Sequence, residues 1–320
     1  MAIEKRKKNT KTSSFGVSGR YGHDSSQFYK SNLYSHIEKK SKTESIENTV
    51  GANILNKLYC KSSETMSELP DNSVHLMVTS PPYNVTKEYD ENLTLNDYLL
   101  LLTKVFAETY RVLAPGGRAC VNVANLGRKP YIPLTTYINQ IMANIGFFMR
   151  GEIIWNKAAS SGGSCAWGSW KSPNNPTLRD VHEYILVFSK DKYNRKCDNE
   201  STISKEEFLE YTKSIWTFNT ESAKKVKHPA PFPVELPYRL IQLYTYKNDV
   251  VLDPFCGCGT TCLVAKKTNR FYIGYDISEN YIKIANDRIN NYSEQAKLFE
   301  HTSIGQDQIG HVAMSMKSNK

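Results

Sequence analysis

The sequence predicts an α/β protein built on a doubly wound, mostly parallel sheet, and three observations carry that expectation. Short apolar runs alternate with segments of helical apolar spacing, as a parallel sheet with crossover helices requires. The loop Asp253-Pro254-Phe255-Cys256-Gly257-Cys258-Gly259-Thr260-Thr261 stands between an apolar run and a helical segment, where a nucleotide-like ligand meets backbone N–H groups. The turn Thr79-Ser80-Pro81-Pro82-Tyr83-Asn84 follows directly on another apolar run, at residues 74–78.

The elements follow in order. Residues 1–48, rich in Lys, Ser, Asn and Thr, predict a basic and largely flexible arm. The body begins near Ile54, and 74–78 is a strand that ends at the proline turn. A helix over 95–113 is expected from apolar Leu99, Leu102, Val105, Phe106 and Tyr110. Pro115-Gly116-Gly117 ends it, and residues 119–123 form the next strand. A helix at 137–145, an extended run at 151–155 and a strand at 182–188 follow. A helix at 233–246, a strand at 250–252, a helix at 261–268, a strand at 271–275 and a helix at 279–288 complete the alternation. The domain is therefore expected over 49–292, with insertions near 158–180 and 190–227 and a flexible tail over 293–320.

The chain has 320 residues, of which 40% are hydrophobic and 23% charged, the balance of a soluble globular protein. No run of about 18 apolar residues occurs, so no membrane span is expected. The start, Met1-Ala2-Ile3-Glu4-Lys5-Arg6-Lys7-Lys8, has no apolar core of a secretory signal. A net charge of +9 suits a polyanionic partner, although basic proteins without nucleic acid are common. Seven cysteines, an odd number scattered through the chain, predict free thiols in a reducing compartment. Cys256, Cys258 and Cys262 raise the question of a metal. They sit in and beside a glycine loop, and no second Cys/His cluster with zinc spacing follows, so no metal is expected.

The glycine loop carries the cofactor expectation. Gly257 and Gly259 permit a tight turn and close backbone approach, and Asp276 ends the next strand about twenty residues on, where an acid binds ribose hydroxyls. The acidic strand end and Pro254-Phe255 favour S-adenosylmethionine over a dinucleotide, whose loop reads Gly-x-Gly-x-x-Gly. Asp253, Phe255, Gly257, Gly259, Thr260, Thr261 and Asp276 are the candidate contacts. The proline turn offers different chemistry. An exocyclic amine of a base is a poor nucleophile, because its lone pair is delocalised into the ring. Ser80 offers a hydroxyl acceptor, and Pro81 a carbonyl held by the fixed φ of Pro81 and Pro82. Tyr83 offers a ring on which an extruded base stacks. Taken alone, Ser80-Pro81-Pro82-Tyr83 reads first as a surface turn.

Together, with the proline turn first and the glycine loop last, these motifs resemble the β-class DNA amino-methyltransferases of type II restriction–modification systems. The resemblance spans roughly 50–292 and extends to Leu113-Ala114-Pro115-Gly116-Gly117, Gly151-Glu152-Ile153-Ile154-Trp155 and His182-Glu183-Tyr184-Ile185-Leu186. It implies the Rossmann-like fold of S-adenosylmethionine-dependent methyltransferases in circularly permuted motif order. It also places His228 and Phe232, in His228-Pro229-Ala230-Pro231-Phe232-Pro233, beside the methionine end of the cofactor. A serine in the proline turn implies methylation of cytosine N4. Adenine N6 is the alternative, since Asn84 also occurs in adenine enzymes. RNA methylation and a catalytically inactive DNA-binding protein are more remote. The resemblance further implies a bacterial or archaeal cytoplasmic protein. It would act on double-stranded DNA with a flipped base as monomer or homodimer, alongside a restriction endonuclease. Trp167, Trp170, Lys171 and Arg179 are candidate DNA contacts, from a glycine–aromatic stretch suited to groove insertion. Nine Lys or Arg over 190–227 suit phosphate contact.

Overall fold

The computed structural model describes residues 11–12, 20–21, 32, 46–82, 93–127, 129–157, 168–195, 197–220 and 233–292. Two compact units divide between Glu44 and Ser45. In the first, β1 (Lys11–Thr12) and β2 (Arg20–Tyr21) pair antiparallel, with Lys11 opposite Tyr21.

The second unit is an eight-stranded sheet with helices. Its strands are β3 (Lys57–Cys60), β4 (Val74–Thr79), β5 (Leu113–Val123), β6 (Phe148–Asn156), β7 (His182–Ser189), β8 (Ile215–Thr217), β9 (Val250–Asp253) and β10 (Phe271–Asp276). They lie in the order β3-β10-β9-β4-β5-β7-β6-β8. Within this sheet β7 alone runs antiparallel to its neighbours, β5 and β6. The helices are α1 (Leu95–Val112), α2 (Leu134–Ile145), α3 (Lys205–Tyr211), α4 (Glu235–Tyr244), α5 (Thr260–Lys267) and α6 over 279–292. The expected doubly wound, mostly parallel α/β fold is what the chain adopts.

Strands buried on both faces explain the near-continuous apolar runs. Met77, Val121, Leu186 and Phe188 join the core under α1 and α2, while Leu76, Val78, Cys120, Ile185 and Val187 join the core with α4 and α5. That is the two-residue alternation of a pleated strand, with apolar side chains on each face. Helix α1 starts at Thr94, whose hydroxyl accepts from the Asp97 N–H, and it buries Tyr98, Leu102, Val105 and Phe106. Among the described residues no helix is long and apolar enough to cross a membrane.

Three features depart from the sequence expectation. Pro115-Gly116-Gly117 does not separate α1 from the following strand: β5 begins at Leu113, directly after the helix. The extra residues are absorbed as a register shift, with Val74 opposite Leu113 but Leu76 opposite Arg118. Gly116 makes this possible with φ +84°, since a Cβ there would lie 2.4 Å from the Asn194 carbonyl oxygen. Strand β3 has no counterpart in the sequence expectation, and it closes one edge by pairing with β10. Within 190–227, α3 carries a reciprocal cap between Ser204 and Glu207, and β8 extends the sheet beside β6, burying Trp216 completely.

Candidate active site

The two sequence motifs, some 170 residues apart, meet at the centre of the sheet. Strands β4 and β9 are parallel neighbours, with Leu76 opposite Val251 and Met77 opposite Leu252, so both motifs leave the sheet at the same rim. From β9 the chain crosses to β10 on one side, and from β4 to β5 on the other. The strand order therefore reverses between them, which opens a crevice beyond their carboxyl ends. Across this junction the Thr79 hydroxyl donates to Asp253 Oδ1 at 2.7 Å, and the Thr261 hydroxyl reaches the Val78 carbonyl at 3.4 Å.

Asp253 is fully buried, and burial raises its carboxyl pKa to about 6. Oδ1 also accepts the Phe255 N–H, whereas Oδ2 has no hydrogen-bond partner among the described residues. The loop that follows is held from both sides. Ser63 Oγ donates to the Pro254 carbonyl at 2.8 Å, and the Cys256 N–H donates to the Tyr275 carbonyl at 2.8 Å. Asp276, at the end of β10, accepts the Gly257 N–H on Oδ2 at 3.0 Å and the Ser278 N–H on Oδ1 at 2.9 Å. Burial raises this carboxyl too.

Gly257 and Gly259 adopt φ +47° and +74°, and a Cβ on Gly259 would stand 2.7 Å from Ala285 Cβ in α6. The loop thus presents bare backbone at the first turn of α5, whose N–H groups have no partner within the helix. Thr260 and Thr261 are buried, with hydroxyls turned toward Arg288 and Val78 respectively, so what they present to the crevice is backbone. Arg288 of α6 is absent from the sequence expectation for the site, and it fastens the loop by donating to the Cys258 carbonyl. Burial pushes the Cys256, Cys258 and Cys262 thiols up, leaving them neutral packing groups. Among the described residues no group of three or more His, Cys, Asp or Glu is placed to hold a metal ion.

On the other side of the crevice the proline turn leaves β4 with Ser80 half-buried, Pro81 buried and Pro82 half-buried. The junction of Lys157 with Val181, whose carbonyl accepts the Lys157 N–H, lies between the end of β6 and the start of β7, beside the carboxyl end of β5. It therefore belongs to the same rim. Residues 168–176 close on themselves through the Gly168–Pro176 bridge and the Ser169 N–H to Asn175 carbonyl bond. Trp170 is 64% exposed, Lys171 takes φ +50°, and Arg179 is exposed. One further group emerges between turn and loop. Buried Asn122 donates to Glu183 Oε2 at 2.6 Å, and Lys157 Nζ lies 2.7 Å from Glu183 Oε1. An amide in the apolar run Ala119-Cys120-Val121-Asn122-Val123 is the sequence signal that marks it. Tyr83, Trp167, His228 and Phe232 lie outside the described residues, as do residues 293–320 and most of 1–45.

Comparison with known proteins gives a consistent result. A family profile described as DNA methylase, of the N6/N4 type, matches residues 74–287. The chain is 34% identical over 271 residues to type II methyltransferase M.MthZI of Methanothermobacter thermautotrophicus, covering 73% of this chain and 76% of that one. Among solved structures it is similar to TTHA0409 of Thermus thermophilus, assigned as a DNA modification methylase and crystallised with S-adenosyl-L-methionine. That match has 29% identity and a TM-score of 0.59, covering 73% of this chain and 94% of that one. It also shares its fold with the PvuII DNA methyltransferase, described as cytosine-N4-specific. The identity there is 23% and the TM-score 0.59, covering 72% and 85% of the two chains.

Proposed function

This chain belongs to the N6/N4 DNA methylase family, and from that premise we propose that it methylates the exocyclic N4 of cytosine at a short site in double-stranded DNA. The observation that supports this most is the Thr79–Asp253 hydrogen bond, because it sets the proline turn and the glycine loop on either side of one crevice. The cofactor is S-adenosylmethionine. It supplies an electrophilic methyl group on a sulfonium centre.

The residues present fit such a ligand. Backbone N–H groups open α5, glycines at 257 and 259 leave room for close approach, and the buried Asp253 Oδ2 has no hydrogen-bond partner among the described residues. Asp276 keeps lone pairs for the ribose hydroxyls beyond those used on Gly257 and Ser278. Asp253 orders the loop and lends negative potential to the crevice, while half-buried Phe255 packs against the core under α1 and α2. His228 and Phe232 are assigned to the methionine end by resemblance.

On the substrate side, Ser80 Oγ and the Pro81 carbonyl accept hydrogen bonds from the target amine, which directs its lone pair at the methyl group. Pro81 and Pro82 hold that carbonyl in place. Tyr83 stacks on the flipped base. Methyl transfer is a direct displacement, so positioning supplies most of the rate. The family resemblance, with serine rather than aspartate at residue 80, supports cytosine over adenine. Trp170, Lys171 and Arg179, with Trp167, contact the duplex, and a net charge of +9 favours phosphate binding. The name of M.MthZI, a type II methyltransferase, supports the pairing with a restriction endonuclease in a bacterial or archaeal cytoplasm.

The test is incubation with tritiated S-adenosylmethionine and mixed duplex DNA, followed by nucleoside separation. Label in N4-methylcytosine is the expected result. Label in N6-methyladenine moves the target to adenine, and label absent from DNA overturns the substrate.

A further inference from the structure

A cavity of about 400 Å³ opens at the opposite rim of the sheet. Its walls are the start of β5 at Gly116 and Arg118, the loop Tyr193–Arg195 after β7, the end of α4 with the turn after it, and Phe208 of α3. Arg118 is opposite Leu76 of β4 and Ser189 of β7, three residues before Val121, which is opposite Thr79. Three residues are about 10 Å of strand, and the cavity extends from there toward the amino ends of the parallel strands. It is of a size usual for small-molecule sites.

Three guanidinium–tyrosine pairs stand at this cavity; Arg118 and Arg195 line it directly, and Arg150 adjoins it through the lining ring of Tyr193. Arg118 lies over Tyr244 at 5.8 Å, Arg150 over Tyr193 at 4.5 Å and Arg195 over Tyr246 at 5.4 Å. Their charges are balanced unequally. Arg195 pairs with Asp249 and stands 3.6 Å from Glu47. Among the described residues no carboxylate pairs with Arg118 or Arg150. Arg118 donates to the Gly116 and Tyr193 carbonyls, which orient the guanidinium but leave its charge uncompensated. Burial lowers its pKa, and the nearby charges of Arg150 and Arg195 lower it further, so an anion in the cavity would relieve a cost already present in the fold.

We propose that this cavity is a second binding site, for a small phosphate-bearing ligand held by Arg118 and Arg150 against the rings of Tyr193 and Tyr244. A guanidinium fork suits a phosphate oxygen pair, and tyrosine faces suit an attached planar ring. The duplex is assigned to the other rim by the proposed function, so it is not the source argued for here. A free phosphate and a nucleotide remain as the two sources of the same chemistry.

The test is calorimetric titration of the full chain with inorganic phosphate and, separately, with uridine monophosphate. Saturable phosphate binding is expected, weakened about tenfold or more in both Arg118→Gln and Arg150→Gln, since one charged hydrogen-bonding group is lost in each. Arg150 is exposed, so its variant stays informative if Arg118→Gln does not fold. Lys57→Gln, which removes a charge on the edge strand β3, should leave binding unchanged. Tighter binding of uridine monophosphate than of phosphate identifies a nucleotide, and equal binding a free oxyanion. No saturable binding, or equal weakening by Lys57→Gln, overturns the site. So does a loss of duplex affinity in Arg150→Gln, because the cavity's charge would then serve the DNA backbone.

Discussion

The two rims of the sheet balance their buried carboxylates in different ways. At the carboxyl ends of the parallel strands the carboxyls beside the crevice are buried Asp253 and half-buried Asp276, both raised by burial and both held only by hydroxyl or backbone N–H donors. At the amino ends the crowded groups are Arg118 and Arg195, with Asp249, Glu47 and His75 around the second. A carboxylate held only by neutral donors keeps its field available to a cationic ligand, and a sulfonium is one. A carboxylate locked to a guanidinium has none to spare. One rim is therefore arranged for a ligand, and the other mostly for holding strands together, except at Arg118.

Gly259→Val should produce the largest effect. The side chain adds strain at φ +74° and overlaps Ala285, together about 2–5 kcal/mol, so S-adenosylmethionine affinity should fall more than about thirtyfold by calorimetry. Unchanged affinity would mean that the loop does not carry the cofactor.

Ser80→Ala comes next. It should lower single-turnover methylation about a hundredfold while cofactor affinity stays within error, by analogy with the loss of one hydrogen bond to a reacting group. A parallel drop in both would place Ser80 in folding rather than in transfer.

Asp253 adds a pH dependence of its own. Its carboxyl has a pKa of about 6 in the folded protein against 3.8 as the ordinary value, so burial disfavours the ionised form. The associated stability is fully present below about 3.8 and is lost as pH rises through about 6. The difference of roughly two units corresponds to about 3 kcal/mol. Urea unfolding of the cofactor-free protein between these pH values should show this loss in the wild type, and a flatter profile in Asp253→Asn. Identical profiles would mean that the carboxyl is not buried as described.

Glu47→Gln probes the amino rim and should have the smallest effect. The Val250 N–H donates to His75 Nδ1 at 2.7 Å, so His75 Nε2 carries the hydrogen it gives to Glu47 at 2.8 Å. That hydrogen bond, ahead of the nearby charges, holds the Glu47 carboxyl below its usual range. Glu47 is 41% exposed, and screening limits the loss to less than about 1 kcal/mol. Methylation should be unaffected. A large fall in activity would erase the contrast between the rims.

What is legible in the sequence follows from local pattern. The stripe Leu102, Val105 and Phe106 names the buried face of α1, and the strand–glycine–helix order names the crevice. Strands β3 and β8, four and three residues long, are too short to show alternation, and each is defined by a distant partner. The start of β5 is hidden because Pro115-Gly116-Gly117 signals a break, whereas here it accommodates a shift of register. Asn122 is marked by the apolar run around it, whereas Arg288 and Lys157 are hidden for a related reason. These two act through partners far away in the chain, which no window of neighbouring residues contains.

The strand order also governs when a working protein first exists during synthesis. β9 and β10 leave the ribosome last among the strands, yet they occupy the middle of the sheet between β3 and β4. Until β9 has emerged, β4 presents a bare edge and Asp253 cannot reach Thr79, and until β10 has emerged β3 has no neighbour. A chain whose translation stops before β9 therefore carries the proline turn without the glycine loop. Premature termination there leaves a fragment with an open β4 edge and only one of the two motifs that face the crevice.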